Sequence, residues 1–259
     1  MLRSIKALQG YAVLAQDGDI GKVHDFYFQD DTWAVRYVVV DTGHWLPGRK
    51  VLLTRHALSA VDWEEHSLSV VLSREQVKNS PNIDTAKPVS RQHEVELHSY
   101  YGWPMYWIEP GPGSWPMGGP MIPTLKEAGL PEAAPKVPAD PHLRSAREVI
   151  GYHLRASDGV LGRVEDFIGD DACWLIRYLV AHVGGVLSAK KALLSPRWLE
   201  QISCDDRRVE VDLTREEILK SPPFRSEAGV DREYEERIYD YYGRPAYWAE
   251  SQPAGQAER

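Results

Sequence analysis

Short alternations of apolar and polar residues fill residues 11–72 and predict β-strands. The run YAVLAQ is followed by Asp17-Gly18, a dipeptide typical of two-residue hairpin turns, and then by IGKVHDFYF. A turn at Asp30–Trp33 leads into AVRYVVVDT, and RKVLLT, LSAVDW and LSVVLS follow in the same way. Several strands in so short a length favour a closed barrel, because closure removes the unpaired edges of a sheet.

Helical patterns follow the strands. Ser73-Arg-Glu-Gln has the spacing of a capping box, which predicts a short helix that ends before Pro81. Thr214-Arg-Glu-Glu has the same spacing and predicts a helix that ends before Pro222. Further helices are predicted over residues 91–101 and 232–242. The fold is therefore expected to be mainly β, with short helices after each group of strands.

The whole pattern occurs twice, with a constant spacing between equivalent positions of the two copies. Gly10-Tyr11 recurs as Gly151-Tyr152, and the register continues without a gap to Trp107 and Trp248. We call this spacing, from Gly10 to Gly151, the repeat offset. An ungapped match of this length predicts an internal duplication.

Residues 109–141 lie between the two copies and differ from them in composition. Frequent prolines and glycines exclude helix interiors and central strands, so the segment is predicted to be an extended linker. Its apolar residues, such as Trp115 and Ile122, leave open whether it packs along a domain. The predicted organisation is a domain over 1–108, the linker over 109–141, a second domain over 142–250 and a tail over 251–259.

Charge and cysteine content narrow the classes of function. The formal net charge is −8, and a nucleic-acid partner is disfavoured because phosphate binding relies on basic residues. Cys173 and Cys204 are the only cysteines, so a disulfide framework is not expected and a cytoplasmic location is favoured. The N-terminal apolar stretch is interrupted at Gln9 and Gly10, and we expect neither a signal peptide nor a membrane span.

An aspartate and an arginine flank the same predicted turn in each copy. These residues are Asp25 and Arg36, and Asp166 and Arg177. If residue 27 faces residue 36, the carboxylate reaches the guanidinium diagonally on one face. We interpret the pairs as structural ion pairs rather than a ligand site, because an acid beside a permanent cation is a poor proton shuttle.

Other candidate chemistry is weaker. His93, Glu94 and His98 suggest a metal site, but a spacing of five residues does not place both imidazoles on one helical face. Neither cysteine belongs to a Cys-x-x-Cys pair, and the sequence contains no GxSxG elbow, P-loop or GxGxxG fingerprint. We therefore predict no catalytic residue, metal ligand or cofactor, and expect that the protein is not an enzyme.

Basic pairs and an aromatic segment recur in both copies and are candidates for an interaction surface. The segment Tyr-Tyr-Gly-x-Pro-x-Tyr-Trp is rich in the residues that protein interfaces favour. The alternative, which we prefer, is that each segment is a lid that packs onto its own domain or onto the other copy. The candidates are Trp45, Arg49, Lys50, Lys190, Lys191, Tyr100, Tyr101, Tyr106, Trp107, Tyr241, Tyr242, Tyr247 and Trp248.

Two long segments carry a resemblance to a known family. DGDIGKVHDFYFQDDTWAVRYVVVDTGHWLPGRKVLL and DGVLGRVEDFIGDDACWLIRYLVAHVGGVLSAKKALL both resemble the PRC-barrel domain. That domain occurs in the cytoplasmic part of the photosynthetic reaction-centre H subunit and at the C-terminus of a ribosome maturation factor. The resemblance covers residues 4–80 and 145–221, and the helical extensions are similar to those of bacterial tandem PRC-barrel proteins. It implies two PRC-type β-barrels, and we expect the two barrels to pack as a pseudo-dimer.

The resemblance also implies a domain that docks onto other proteins and performs no reaction. We therefore predict a non-enzymatic intracellular adaptor whose protein partner is unidentified. Two alternatives stay open, a ribosome- or RNA-associated factor and a component associated with a membrane electron-transfer or photosynthetic complex. The sequence also leaves open a homo-oligomer.

Overall fold

The computed structural model describes residues 1–81, 89, 91–107, 142–184, 190–225 and 229–249. This part of the chain is mainly β and contains two seven-stranded sheets. The chain divides into a first unit, Leu8–Ser145, and a second unit, which combines Met1–Ala7 with Ala146–Arg259. The predicted linker and tail fall outside the described residues.

Numbered along the chain, the strands before the linker are β1 Leu2–Ser4, β2 Ala12–Ala15, β3 Gly18–Gln29, β4 Val35–Asp41, β5 Lys50–Thr54, β6 Leu58–Asp62 and β7 Ser67–Val70. Those after it are β8 Leu143–Ser145, β9 His153–Ala156, β10 Gly159–Asp170, β11 Leu175–Val183, β12 Lys190–Leu194, β13 Leu199–Ser203 and β14 Arg208–Val211. The helices are α1 Arg74–Lys78, α2 Arg91–Tyr101, α3 Ala146–Val149, α4 Arg215–Lys220 and α5 Arg232–Tyr242.

The helices match the sequence-based predictions closely. The Ser73 hydroxyl accepts a hydrogen bond from the backbone amide of Gln76 in α1, and the Thr214 hydroxyl accepts one from the backbone amide of Glu217 in α4. Both predicted capping boxes are therefore confirmed. In α5 the Asp231 side chain caps the first turn. Gly243 ends α5 in the left-handed conformation, with φ 61°, which a residue without a Cβ adopts at no steric cost.

The two sheets have the same strand order. In the first unit the order is β5-β4-β3-β2-β7-β6, and in the second it is β12-β11-β10-β9-β14-β13. The β2–β7 and β9–β14 ladders are parallel, and the others are antiparallel. The predicted mainly β fold is thus confirmed, but the predicted closed barrels are not: within the described residues each strand order is an open path. A 3₁₀ turn over Arg55–Ala57 separates β5 from β6, and these consecutive strands do not form a hairpin.

Each unit buries its own apolar core between sheet and helices. Phe26, Phe28 and Tyr37 are fully buried in the first unit, and Phe167 and Tyr178 are fully buried in the second. Non-polar burial of this kind provides the main stabilisation of a folded domain. Within the described part of the chain, no helix is both long and apolar enough to cross a membrane.

Each sheet includes one three-residue strand that is distant in sequence from the other strands of that sheet. Strand β1 pairs antiparallel with β10 in the second unit, and β8 pairs antiparallel with β3 in the first. The sequence-based domains 1–108 and 142–250 do not anticipate this exchange, because three-residue strands have no distinctive periodicity.

The register of the β3–β4 hairpin differs from the predicted one. Tyr27 lies opposite Tyr37 rather than residue 36, and a bulge follows Tyr27. Asp25 lies opposite Val39, so Arg36 falls on the other face of the sheet from Asp25. In the second unit Asp166 lies opposite Val180 and Phe167 opposite Leu179. The predicted Asp–Arg ion pairs therefore do not form in this register, because the sequence-based alignment of the two strands was wrong by one residue.

Candidate functional site

Each unit carries a surface groove at the same place in its repeat. The first groove, about 590 Å³, lies between residues 19–24 of β3 and residues 41–45, which begin at the last residue of β4. The second groove, about 660 Å³, lies between residues 160–165 of β10 and the end of β11, and Lys6 and His153 add to its wall. At the repeat offset, Gly21, Lys22, Val23 and Asp41 of the first groove correspond to Gly162, Arg163, Val164 and His182 of the second.

A glycine that accepts no side chain forms the floor of each groove. A Cβ on Gly21 would lie 2.1 Å from the Asp41 carbonyl oxygen, and one on Gly162 would lie 2.0 Å from that of His182. Contacts this short with backbone atoms exclude every other residue unless the sheet moves. The β9–β10 ladder has a register shift beside Gly162, and such irregularities commonly shape functional edges. The sequence analysis did not predict the grooves, and the recurrence of this glycine in both copies is the one signal that could have indicated them.

The first groove has walls of mixed charge. Asp19 and Asp41 contribute carboxylates, and Lys22 and His44 contribute exposed basic or titratable groups. The Lys50 ammonium lies 2.9 Å from His24 Nε2. Because an ammonium only donates, His24 accepts this hydrogen bond through an unprotonated Nε2.

The second groove is richer in basic groups. Lys6, His153 and Arg163 are exposed on its walls, and neither Lys6 nor Arg163 forms an ion pair within the described residues. Glu165 is held by Lys191 at 2.7 Å and by His182 at 3.4 Å. Burial disfavours its ionisation, but these partners outweigh burial and lower the pKa of Glu165. The Glu165 carboxylate is therefore paired with Lys191 and His182, whereas the Arg163 side chain is exposed to solvent.

Equivalent positions in the two grooves carry different charges. His24 corresponds to Glu165, and Asp41 corresponds to His182. The backbone is thus repeated while the electrostatics differ, and two such surfaces would select differently charged segments of a ligand.

The predicted basic pairs are Arg49 with Lys50 and Lys190 with Lys191. The first member of each pair, Arg49 or Lys190, donates hydrogen bonds to the chain at the end of a helix. Arg49 donates to the Ser80 Oγ at 3.1 Å and to the carbonyls of Lys78 and Ser80. Lys190, its equivalent, donates to the Ser221 carbonyl at 2.8 Å. Each cation thus satisfies carbonyls at the end of a helix, which is a stabilising position for positive charge.

The remaining basic candidates and Trp45 border the grooves. Lys50 contacts His24, Lys191 contacts Glu165, and the Arg74 guanidinium lies 4.8 Å from the centre of the Trp45 ring. Trp45 is half-buried in this cation–π contact and forms part of the first groove.

A buried glutamate anchors each aromatic segment. Glu94 accepts hydrogen bonds from Tyr37 at 2.7 Å and from Tyr106 at 2.6 Å, and it is 0% exposed. The equivalent Glu235 accepts from Tyr178 at 2.8 Å and from Tyr247 at 3.0 Å. One tyrosine of each pair belongs to the sheet and the other follows the helix, so the carboxylate ties the two together.

The two arginines of the predicted ion pairs also hold the aromatic segments. Arg36 lies over the Tyr106 ring at 4.1 Å and donates from Nε to Gln29 at 2.6 Å. Arg177 lies over the Tyr247 ring at 4.2 Å. Asp25 and Asp166 instead bind the exchanged strands, through the hydroxyls of Ser145 and Ser4, each at 2.5 Å.

The other aromatic candidates contact their own unit. Tyr100 and Tyr241 are exposed, yet their hydroxyls donate to the Gln76 and Glu217 carbonyls, each at 2.8 Å. The rings of Tyr101 and Tyr242 are half-buried and lie 4.7 Å and 4.9 Å from those of Tyr100 and Tyr241.

Trp107 and Trp248 close the segments in the same way. Trp107 lies 5.0 Å from His98, and Trp248 lies 5.1 Å from Tyr239. Burial raises the pKa of Tyr101 and of Tyr247 to about 12, so these phenols remain donors at neutral pH.

His98 occupies a structural position. Its Nε2 lies 2.9 Å from the Tyr37 hydroxyl, and its Nδ1 lies 2.9 Å from the Pro104 carbonyl. Both ring nitrogens therefore have protein partners. Among the described residues, no three His, Cys, Asp or Glu side chains are grouped as metal ligands would be.

The chain matches no protein-family model and no curated protein sequence.

Proposed function

We propose that this protein is a non-enzymatic adaptor that binds a protein partner through its two grooves. The observation that supports the proposal most is the repetition of the groove at equivalent positions with different wall charges. A duplicated site with altered charge suits recognition of two segments of one partner, since linked contacts raise affinity without a new interface.

The chemistry of the walls favours a segment of protein as the occupant. The walls of each groove carry several charged side chains, which offer charge complementarity to a segment of a partner protein. The second groove, with Lys6 and Arg163 outside ion pairs in the described chain, suits an acidic segment. The net charge of −8 disfavours long-range attraction to nucleic acid.

We also infer that both units descend from one PRC-type barrel domain. The identical strand order and the constant repeat offset support a duplication. In this interpretation, the aromatic segments are lids that each glutamate holds on its own unit, and the partner contacts the surface that they leave uncovered.

Capture of partners by full-length variants tests the adaptor function. Arg163→Glu reverses an exposed charge in the second groove, and Arg155→Glu reverses an exposed charge on β9 outside it. We expect a protein captured by the parent and by Arg155→Glu to be recovered about tenfold less with Arg163→Glu, which corresponds to ~1.4 kcal/mol. Quantitative mass spectrometry of the captured material gives the ratio.

Two results would contradict the proposal. One is equal recovery of every captured protein by all three chains. The other is capture that disappears after nuclease treatment and falls steeply with salt, because that pattern identifies phosphate contacts.

A further inference from the structure

The two exchanged strands are the same tripeptide, Leu-Arg-Ser, at residues 2–4 and 143–145. By the sequence repeat, β1 belongs to the first copy and β8 to the second, yet β1 completes the sheet of the second unit and β8 that of the first. The exchange is therefore reciprocal and takes place within one chain.

The slots that receive the strands have the same geometry. Leu2 lies opposite Asp170 and Leu143 lies opposite Gln29, and both pairs are equivalent at the repeat offset. The backbone bonds agree as well, since the Asp171 amide donates to the Met1 carbonyl at 3.0 Å and the Asp30 amide donates to that of His142 at 2.9 Å.

One hydrogen bond from a serine hydroxyl to an aspartate carboxylate holds each exchanged strand on its sheet. Ser4 Oγ donates to Asp166 and Ser145 Oγ donates to Asp25, each at 2.5 Å. The two aspartates are equivalent in the repeat. Each slot thus binds backbone groups and a serine hydroxyl, and both strands share these features.

The slot on β10 cannot distinguish Leu2–Ser4 of its own chain from Leu2–Ser4 of a second copy, because the two segments are chemically identical. The same hydrogen bonds form whether Leu-Arg-Ser comes from the same chain or from another molecule, so only effective concentration separates the alternatives. The chain passes between units at Ala7 and Leu8, inside a 3₁₀ turn over Lys6–Leu8 and before Gly10, whose φ is 88°. Exchange of an identical element between molecules is a common, low-cost route to dimers.

We propose that the slot on β10 can also receive β1 from a second copy of the chain, so that two copies form a dimer. In that dimer, Leu2–Ser4 of each copy docks on β10 of the other, and Ser4 donates to Asp166 across the interface. The inference does not rest on the proposed function of the grooves, although Lys6 of the second groove follows β1 and its backbone amide also donates to Asp166.

Cysteine pairs across the slot test the proposal in the full-length chain, with Cys173→Ala and Cys204→Ala to remove native thiols. Leu2→Cys and Asp170→Cys lie at directly opposite positions, where side chains are close enough to cross-link. One chain carries only Leu2→Cys and a second carries only Asp170→Cys. After the two are mixed at high concentration and oxidised, we expect a covalent dimer that neither chain forms alone.

Two control chains define the cis arrangement. A chain with both substitutions should cross-link within itself on dilution and run as a monomer. A chain with Leu143→Cys and Asp170→Cys should not cross-link within itself, because β8 occupies the other slot. Absence of a covalent dimer from the mixture, while the doubly substituted chain cross-links fully, would overturn the proposal.

Discussion

At the scale of single residues, the repeated aspartates and arginines have separate tasks. Asp25 and Asp166 each bind the serine of an exchanged strand, whereas Arg36 and Arg177 each cover a tyrosine of the aromatic segment. A shift of one residue in a β-ladder moves a side chain to the opposite face, which separates groups that the sequence spacing brings together. Equivalent residues nevertheless perform equivalent tasks in both units.

The lock at Asp166 should be visible in the pH dependence of stability. Burial raises the pKa of Asp166, although hydrogen bonds from Ser4 and from the Lys6 and Phe167 amides act in the opposite direction. The folded protein therefore holds this proton to a higher pH than the unfolded chain does. The stabilisation from Asp166 is complete below the carboxyl's ordinary pKa and is lost as the pH rises through the folded pKa.

Asp166→Asn removes this titration and keeps an acceptor for Ser4. We expect the parent's free energy of unfolding, relative to that of Asp166→Asn, to decrease as the pH rises through this window. Denaturant titrations at several pH values measure the difference, and Asp205→Asn in an exposed turn serves as the control. A difference that does not change with pH would contradict the assigned role of the Asp166 proton.

At the scale of elements, the aromatic segments hold each terminal helix on its sheet. The glutamates of α2 and α5 accept a tyrosine from the sheet and a tyrosine from beyond the helix. Removal of such an acceptor leaves buried hydroxyls unpaired, at about 1–3 kcal/mol for each group. A segment fastened in this way stabilises the unit, although the Tyr100 and Tyr241 rings remain exposed.

Trp248→Ala should therefore lower stability. The Trp248 ring lies 3.9 Å from the Arg232 guanidinium and 5.1 Å from the Tyr239 ring. We expect a loss of about 2 kcal/mol, the value of burying much of a large aromatic side chain, and a smaller loss for Tyr241→Phe. Trp107→Ala should behave like Trp248→Ala, and thermal melts measure all three. Variants that melt like the parent but no longer capture a partner would identify the segment as a docking site.

At the scale of the whole molecule, the reciprocal strands make each unit depend on a distant part of the chain. The second unit needs residues from the N-terminus, and the first needs residues that follow the linker. Contacts between residues so distant in sequence require closure of a long loop, which costs chain entropy. The serine–aspartate hydrogen bonds and the backbone bonds of the β1–β10 and β8–β3 ladders must offset this cost.

Deletion of residues 1–5 should thus destabilise the second unit rather than the first. Removal of β1 exposes the edge of β10, and Asp166 loses Ser4. We expect hydrogen exchange to accelerate over residues 167–171 and to stay unchanged over residues 26–30, the equivalent slot that β8 still fills. Faster exchange confined to residues 26–30 would show that the strands are not exchanged.

The sequence by itself determined the elements and their repetition. Turn dipeptides, capping boxes and alternating apolar positions are local signals, and they were sufficient to predict the longer strands and the bounds of α2 and α5, but not the three-residue strands β1 and β8. The constant repeat offset likewise predicted two similar sheets.

Only the tertiary structure decided how these elements are joined. A bulge moved Arg36 away from Asp25, the 3₁₀ turn at Arg55–Ala57 kept β5 and β6 from pairing, and identical tripeptides exchanged between sheets. The grooves also depend on strands that meet in space, because Gly21 marks a groove only when Asp41 lies against it. Register, exchange and groove shape arise from non-local contacts, whose free energies no local pattern of residues encodes.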